Sequence, residues 1–345
     1  MTKTKRHHTI LPKKIGVLVV NLGSPTTNSK LAIKKFLREF LSDKRVVPLP
    51  SIIWQPLLNF IILQIRPAKL VKNYQLIWFK KQNLSPLHYY TDAIAIKLQK
   101  QFGKHIIVRS GYRYGDRPSG KNIGGGNIAT EIKTLQQLGC RHIVVLPLYP
   151  HYSASTTASL VDALGNILKK MQHQPTIHIV PPYFDHPDFI NLLKHNIKNY
   201  FKHKPLPQRI ILSNHGIPKS FVAKGDPYSC QVKKTARLLR ESLKQSPATM
   251  PCAFQSRFGY NPWVEPYSVD MVKKMAKENC QSLAIFAPSF AVDCIETLEE
   301  INHSLRNIFF QHHANPQQAK FFYIPCLNDN NMAIEFYKKI ILKFL

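Results

Sequence analysis

Short apolar runs and longer amphipathic stretches alternate along most of the chain. The runs are rich in β-branched residues, as buried strands are, and the longer stretches repeat their apolar positions with a helical period. This alternation predicts an α/β fold built on parallel sheets. The expected strands are residues 16–21, 105–110, 142–146 and 177–180 in the first half and residues 209–213, 253–255, 283–287 and 321–324 in the second. The expected helices include residues 29–41, 91–101, 129–138 and 228–243.

The first strand of each half ends in a similar short motif. One motif is Asn-Leu-Gly-Ser-Pro at residues 21–25, and the other is Asn-His-Gly-Ile-Pro at residues 214–218. Open α/β sheets bind their ligands at the carboxyl ends of the strands, where both motifs fall. The repetition predicts a duplicated doubly wound unit in which His215 replaces Leu22 of the first copy. An imidazole exchanges protons near neutral pH, so His215 is a candidate catalytic group, with a purely structural role as the alternative.

Four of the nineteen carboxylates fall between residues 293 and 300. They are Asp293, Glu296, Glu299 and Glu300, and they follow an apolar run and a Pro-Ser turn. On an α-helix, Asp293, Glu296 and Glu300 share a stripe, whereas Glu299 points elsewhere and is expected to be a bystander. Carboxylates this close repel one another unless a cation visits. The stripe therefore predicts a cation path, and the alternative is a set of acids that complements the helix dipole.

The charge and cysteine content restrict the classes of partner. The formal net charge is +29, which points to anionic partners. Lys and Arg are spread over the whole length, and no zinc-finger or aromatic RNA-binding motif is present, so a nucleic-acid partner is not expected. The six cysteines include no C-x-x-C pair, which argues against structural zinc. Residues 1–14 form a basic tail without the apolar segment of a signal peptide, so we expect a cytoplasmic protein with reduced thiols.

The segment 46–65 carries no charged residue. Prolines at positions 48, 50 and 56 interrupt it, which argues against a membrane-spanning helix. Basic residues follow at positions 66, 69 and 72, as at a membrane interface. We expect an exposed apolar lip that touches a membrane or covers a pocket, and a buried core segment is the alternative.

Seven motifs, in order along the chain, resemble those of the ferrochelatase family. They are Asn-Leu-Gly-Ser-Pro (21–25), Gly-Tyr-Arg-Tyr-Gly-Asp (111–116), Leu-Pro-Leu-Tyr-Pro-His-Tyr-Ser-Ala-Ser-Thr-Thr (146–157), Asn-His-Gly-Ile-Pro (214–218), Lys-Gly-Asp-Pro-Tyr (224–228), Phe-Gln-Ser-Arg (254–257) and Cys-Ile-Glu-Thr-Leu-Glu-Glu-Ile (294–301). The resemblance implies an α/β fold with two similar Rossmann-like domains, each a parallel four-stranded sheet flanked by helices, and a cleft between them. The first domain is expected at residues 15–182, with the lip at 46–65, and the second at residues 183–325. Residues 326–345 are expected to form a helix that packs back on the body.

The resemblance also implies a function. A ferrochelatase is a lyase that inserts Fe²⁺ into protoporphyrin IX to give protohaem and releases two protons. Coproporphyrin III as substrate, or a non-catalytic porphyrin- or haem-binding protein, remains an alternative. Iron is a substrate here and no permanent cofactor is expected. Some family members carry an iron–sulfur cluster on four C-terminal cysteines, but only Cys326 lies near the end of this chain, so no cluster is expected. The expected partners are a porphyrin and an anionic membrane surface on the cytoplasmic side; the oligomeric state is not predicted.

The resemblance assigns roles to individual residues. His215 and Glu296 match the catalytic pair, which also touches the incoming iron transiently. Asp293 and Glu300 match an acidic relay that leads away from that pair. The residues that match the substrate pocket are Arg113, Tyr114, Leu22 and Trp263, and the arginine is expected to face a carboxylate of the porphyrin.

Overall fold

The computed structural model describes residues 14–115, 117, 120, 123–259 and 261–345. Apart from Lys14, the basic N-terminal tail therefore lies outside the described residues. The described chain contains two wholly parallel β-sheets, one in each half, with helices packed around them. The expected α/β class is confirmed.

The first sheet has five strands in the order β3-β2-β1-β4-β5. Four were expected, and the strand missing from the prediction is β3. Its sequence, Gly-Gly-Gly-Asn, has no apolar β-branched residue to indicate a strand. A Cβ on Gly124 would lie 2.3 Å from the Ser110 carbonyl oxygen, so glycine is what lets this strand approach β2. The strands are β1 Lys14–Asn21, β2 Ile106–Tyr112, β3 Gly124–Asn127, β4 Cys140–Pro147 and β5 Thr176–Ile179.

The second sheet has four strands in the order β7-β6-β8-β9. They are β6 Arg209–His215, β7 Cys252–Gln255, β8 Ser282–Phe286 and β9 Lys320–Ile324. This order reproduces β2-β1-β4-β5 of the first sheet, with β6 in the place of β1. The two similar motifs therefore both lie at the carboxyl end of an interior strand, as expected for a duplicated unit.

Twelve α-helices are described, together with shorter stretches of π- and 3₁₀-helix. The α-helices are α1 Lys30–Leu41, α2 Ser51–Leu57, α3 Leu63–Ile77, α4 Pro86–Gln101, α5 Ile128–Gln137, α6 Ser159–Leu168, α7 Pro187–Tyr200, α8 Lys219–Ala223, α9 Tyr228–Leu243, α10 Ser268–Lys277, α11 Arg306–His312 and α12 Asn331–Ile341. The π-helical segments are Leu58–Ile62, Ala154–Ala158 and Glu296–Leu305, and Leu342–Phe344 is 3₁₀.

One hydrophobic core joins the two halves. It includes Leu146 from the first sheet, Phe286 from the second and Tyr337 from α12, all at most 1% exposed. Helix α12 packs against α4 and α7 of the surrounding layer. The aromatic ring of Phe336 contacts Tyr183 and Phe189. The last helix thus fastens the two halves together and fixes the cleft between their sheets.

The lip is an amphipathic helical segment formed by α2, the π-turn and the start of α3. Trp54, Leu58 and Leu63 face inward, and the Trp54 indole N–H donates to the Leu41 carbonyl at 2.6 Å. Ile52 and Phe60 face outward and are 85% and 78% exposed. Within the described residues, no helix has the length and apolar character needed to cross a bilayer. The lip therefore presents apolar side chains to the surroundings while its inner face anchors it.

Candidate active site

A cavity lies between the lip and the acidic helix Glu296–Leu305. Its walls come from both halves of the chain and are mainly apolar. The lining residues are Leu22, Gly23 and Ser24 after β1; Phe36, Leu37 and Phe40 of α1; Arg66, Leu70, Asn73, Tyr74 and Ile77 of α3; Ser85, Pro86 and Leu87 before and in α4; and Cys294, Ile295, Glu296, Glu299 and Glu300. The charged groups among them are one guanidinium that follows the lip and three carboxylates of the acidic helix.

His215 is the last residue of β6 and is half-buried. Its Nδ1 lies 2.7 Å from the Gly216 carbonyl oxygen. A carbonyl can only accept a hydrogen bond, so in the neutral ring Nδ1 carries the proton and Nε2 keeps its lone pair. The ring centre lies 6.5 Å from that of Trp263 and 6.5 Å from that of Phe290. The imidazole is therefore oriented by its own backbone and can accept a proton at Nε2.

Gln255 connects His215 to the acidic helix. It ends β7 in register with His215. Its amide nitrogen donates to the Glu296 carbonyl at 2.7 Å and to the Glu300 carboxylate at 3.2 Å. Its amide oxygen accepts from the Ser213 hydroxyl at 2.6 Å, which fixes the orientation of the amide. The strand ends and the acidic helix thus form one hydrogen-bonded unit that brings His215 and Glu296 to the same edge of the second sheet.

Glu300 is a carboxylate with an altered proton affinity. Burial and the charge of Glu296 raise its pKa to about 7, although hydrogen bonds from Ser256 and Gln255 oppose the rise. The Ser256 hydroxyl donates to it at 2.5 Å. Within the described ranges no three or more His, Cys, Asp or Glu side chains form a group suited to hold a metal ion. Glu300 is thus placed to exchange protons near neutral pH at the cavity wall.

Asp293 does not lie on the acidic stripe, contrary to the prediction. The helix begins after it, and its carboxylate turns inward and is 4% exposed. It accepts hydrogen bonds from the Asn328 amide at 2.8 Å, from the Cys326 N–H at 3.2 Å, and from the Tyr323 hydroxyl. With these donors on it, the carboxylate anchors the start of the helix to the segment after β9. The α-helical spacing misplaced it because the acidic segment is π-wound and starts later.

Glu299, expected to point elsewhere, lines the cavity with Glu296 and Glu300. Its carboxylate accepts a hydrogen bond from the Ser304 hydroxyl at 2.9 Å. These residues are five apart, which is the hydrogen-bond spacing of a π-helix. The π-winding gives the acidic helix a broad carboxylate face instead of a narrow stripe.

Arg113 and Tyr114 lie one layer behind the cavity wall. The Arg113 guanidinium forms an ion pair with Asp43 at 2.6 Å and also donates to Ser159. The Tyr114 hydroxyl donates to Asp43 at 2.7 Å, and its ring packs edge-on against Phe40 at 5.2 Å. Burial opposes ionisation of Asp43, but the Ser159, Tyr114 and Arg45 hydrogen bonds and the Arg113 charge hold its pKa below the ordinary value. The structure therefore does not bring Arg113 to the cavity.

Arg66 is the cavity residue that sequence reasoning missed. It was expected only as one of several basic residues after the lip, and no motif singles it out. Its guanidinium stacks over the Phe258 ring, 4.5 Å from the ring centre. Burial lowers the pKa of Arg66, and the Glu300 charge opposes this. Among the described lining residues it is the only cation.

Leu22 and Trp263 take different positions. Leu22 lines the cavity, whereas Trp263 lies beside His215 and outside the lining set. A Cβ on Gly216 would lie 3.1 Å from the Trp263 ring and 2.9 Å from the Gln255 carbonyl oxygen. The glycine after His215 is thus required for the indole to pack close behind the imidazole.

Comparison with known proteins assigns the family. The ferrochelatase family model matches residues 14–345. The ferrochelatase of Rhizobium meliloti is 42% identical over 333 residues, which cover 96% of this chain and 94% of that one. The ferrochelatase of Francisella tularensis subsp. holarctica is 40% identical over 331 residues, covering 95% of each chain.

A solved structure with a similar fold is SirB from Bacillus subtilis, determined with Fe³⁺. It has a TM-score of 0.57 and 11% sequence identity, and the match covers 96% of this chain and 95% of that one. At this identity the likeness concerns the fold alone. The sequence matches are close and span nearly the whole length on both sides, so the chain belongs to the ferrochelatase family, the porphyrin metal chelatases of haem synthesis.

Proposed function

We propose that this protein inserts Fe²⁺ into protoporphyrin IX to give protohaem, with His215 as the acceptor of pyrrole protons and Glu296 as its acidic partner. The observation that carries the proposal is the link through Gln255: it pairs in register with His215 at the strand ends and donates to the main-chain carbonyl of Glu296, and Glu296 lines the apolar cavity whereas His215 lies outside the lining set. The imidazole supplies a lone pair at Nε2, and the carboxylates supply oxygen ligands that suit a passing ferrous ion. No resident cofactor is needed for these steps.

The cavity suits a flat apolar ring with few charges. Leu22, Phe40 and Leu70 provide apolar walls, and Arg66 provides a cation for a carboxylate at the ring edge. Coproporphyrin III carries more carboxylates than protoporphyrin IX, and desolvating each one without a partner is costly. We therefore favour protoporphyrin IX as the substrate.

Protons removed from the ring need a route to solvent. His215 takes a proton at Nε2, and Glu300, with its pKa raised to about 7, can accept one and release it near neutral pH. We propose Glu296, Glu299 and Glu300 as the carboxylates of the proton and cation path. Asp293 is not part of this route, because its carboxylate is already held by buried donors.

The cysteine beside this path does not compete for the metal. Cys294 is 4% exposed, and burial together with the Glu296 charge raises the pKa of its thiol well above the ordinary value. A protonated thiol is a poor metal ligand. The path thus offers oxygen and nitrogen ligands that release Fe²⁺ readily, as a delivery site requires.

An anaerobic assay with Fe²⁺ and porphyrin tests this function. Wild type should metallate protoporphyrin IX with a higher kcat/KM than coproporphyrin III, and His215→Ala should lose activity by roughly 100-fold or more. A matched control is His195→Ala, which changes an exposed histidine on α7. Normal turnover by His215→Ala would refute the proposed base, and porphyrin binding without any metallation would favour the non-catalytic alternative. Preference for coproporphyrin III would overturn the substrate assignment alone.

We also propose that the lip docks on the anionic cytoplasmic face of a membrane. Its outward residues Ile52, Ile53 and Phe60 are 85%, 65% and 78% exposed. The nearby lysines Lys69 and Lys72 are also exposed and can attract anionic lipid. Such docking would place the cavity mouth at the surface where an apolar porphyrin partitions.

Vesicle pelleting tests the docking proposal. Binding to vesicles with phosphatidylserine should weaken as salt rises, because the lysines act through screened charges. Ile52→Ser with Phe60→Ser should release most of the protein, whereas Leu206→Ser should not. Leu206 is 79% exposed but lies before β6, outside the lip. Equal pelleting of all three proteins, or binding that salt leaves unchanged, would refute this part.

A further inference from the structure

Arg66 and the acidic helix line the same cavity, and Arg66 lies close enough to Glu300 for their charges to affect one another. Arg66 belongs to the first turns of α3, where the lip joins the body. Glu296, Glu299 and Glu300 line the facing wall, and all three are half-buried. A positive group thus lines the same cavity as the carboxylates that are proposed to bind the passing metal.

Among the described residues, an aromatic ring and no ion pair holds the guanidinium there. Its contact is the face of Phe258, which is 52% exposed on the loop after β7. Within the described part of the chain, Arg66 forms no salt bridge. A cation–π contact at a half-exposed ring is weak compared with a buried bidentate ion pair. The long arginine side chain can therefore leave this position without breaking a strong bond.

Repulsion among the three carboxylates of the acidic helix favours a cation beside them. Three acids on one face repel one another, and the charge of Glu296 already raises the pKa of Glu300. A nearby guanidinium favours their charged forms and offsets part of that repulsion. A divalent metal would do the same more strongly, and two cations that contact the same carboxylates repel each other.

We propose that Arg66 is the internal counter-cation of the acidic helix, and that it must move away from these carboxylates before a divalent metal binds there. This inference rests on the proposed role of the carboxylates as the metal path. It makes Arg66 and the metal alternative partners of the same acids. A ligand carboxylate that draws Arg66 aside then increases the affinity of the acids for the metal, so that ring binding and metal binding are coupled.

The test measures metal binding by full-length protein without porphyrin. Isothermal titration with Co²⁺ alone should show binding on the order of 10-fold tighter in Arg66→Gln than in wild type, a coupling of ordinary size. Lys69→Gln is the matched control, since it removes the same charge from an exposed position one turn along α3. It should bind Co²⁺ as wild type does. Adding Glu300→Gln to Arg66→Gln should abolish the gain in Co²⁺ affinity. That result would show that the additional Co²⁺ binding occurs at the acidic helix.

Two further variants keep the inference testable if Arg66→Gln does not fold. Arg66→Lys retains the charge and should bind Co²⁺ as weakly as wild type. Phe258→Ala retains the arginine but frees it from the ring, and should tighten Co²⁺ binding by a smaller factor. The inference is overturned if Arg66→Gln binds Co²⁺ no more tightly than wild type. If Arg66→Gln does not fold, the same result in Phe258→Ala overturns it. If wild type metallates porphyrin in the assay above while these variants show no gain, only the counter-cation fails and the proposed function stands.

Discussion

At the scale of single residues, Ser256 shows how the site depends on local strain. Its φ of 63° lies in the left-handed region, which a non-glycine residue adopts at a cost. This conformation aims its hydroxyl at the Glu300 carboxylate. The strain is thus tied to a side chain that controls the proton affinity of the acidic helix.

Ser256→Ala should raise the pKa of Glu300 further above its present value of about 7. The hydroxyl stabilises the charged carboxylate, so its loss favours the protonated form. The rise should be visible by carbon-13 NMR of labelled glutamate side chains, and the acid limb of chelatase activity should move to higher pH. Ser256→Gly serves as the control for strain, because it removes the same hydroxyl and relaxes the backbone. If the pKa of Glu300 rises in the alanine variant but not in the glycine variant, the strain and not the hydrogen bond is responsible.

At the scale of elements, the acidic helix is a π-helix fastened at its start. Asp293 holds that start through Tyr323 of β9 and through Cys326 and Asn328 of the segment after it. Gln255 and Ser256 hold its middle from the end of β7. The helix therefore depends on both neighbouring strands for its position, and its carboxylates divide into an anchor and a cavity-facing set.

Asp293→Ala should destabilise the protein by about 2–4 kcal/mol, because it leaves several buried donors unpaired. Glu296→Gln removes no comparable buried contact and should change stability by less than about 0.5 kcal/mol while it lowers chelatase activity. Urea unfolding and the chelatase assay, run on both variants, separate the two roles. If Asp293→Ala kept its stability but lost activity, the anchoring role would be contradicted and Asp293 would belong to the acidic relay.

At the scale of the whole molecule, the two halves meet at a polar junction beside the shared core. His151 of the first half contacts Thr235 of α9, with Nε2 2.8 Å from the hydroxyl oxygen. The Ser153 hydroxyl and the Ala154 N–H donate to Asp226 of the second half. Burial lowers the pKa of His151 to about 3, so its ring is neutral at the junction. Protonation of this ring would place a buried charge at the junction and weaken the contact between the halves.

Stability should therefore fall as the pH drops below the ordinary histidine value of about 6.5 towards 3. In that window the unfolded chain binds a proton at His151 and the folded protein does not, so acid favours unfolding. The contribution is about 1.4 kcal/mol per pH unit for this residue. The unfolding free energy, measured with urea between pH 6 and 4, should depend less steeply on pH in His151→Gln by that amount. This variant keeps a donor for Thr235. Parallel pH curves for the two proteins would contradict the assignment.

Local repeats and short motifs were enough to predict part of this structure. The β-branched runs predicted eight of the nine strands, because burying such runs needs no knowledge of their partners. The strand-end motifs located His215 and Leu22, and seven motifs in order along the chain indicated the family. Tertiary structure decided the features that depend on residues far apart in the chain. The glycine strand β3 depends on β2, Asp293 turns inward to Tyr323, Arg113 pairs with Asp43, and Arg66 meets Phe258 across the cleft. A spacing rule describes residues that are neighbours on one helix. It cannot predict a contact with a residue that comes near only when the chain folds.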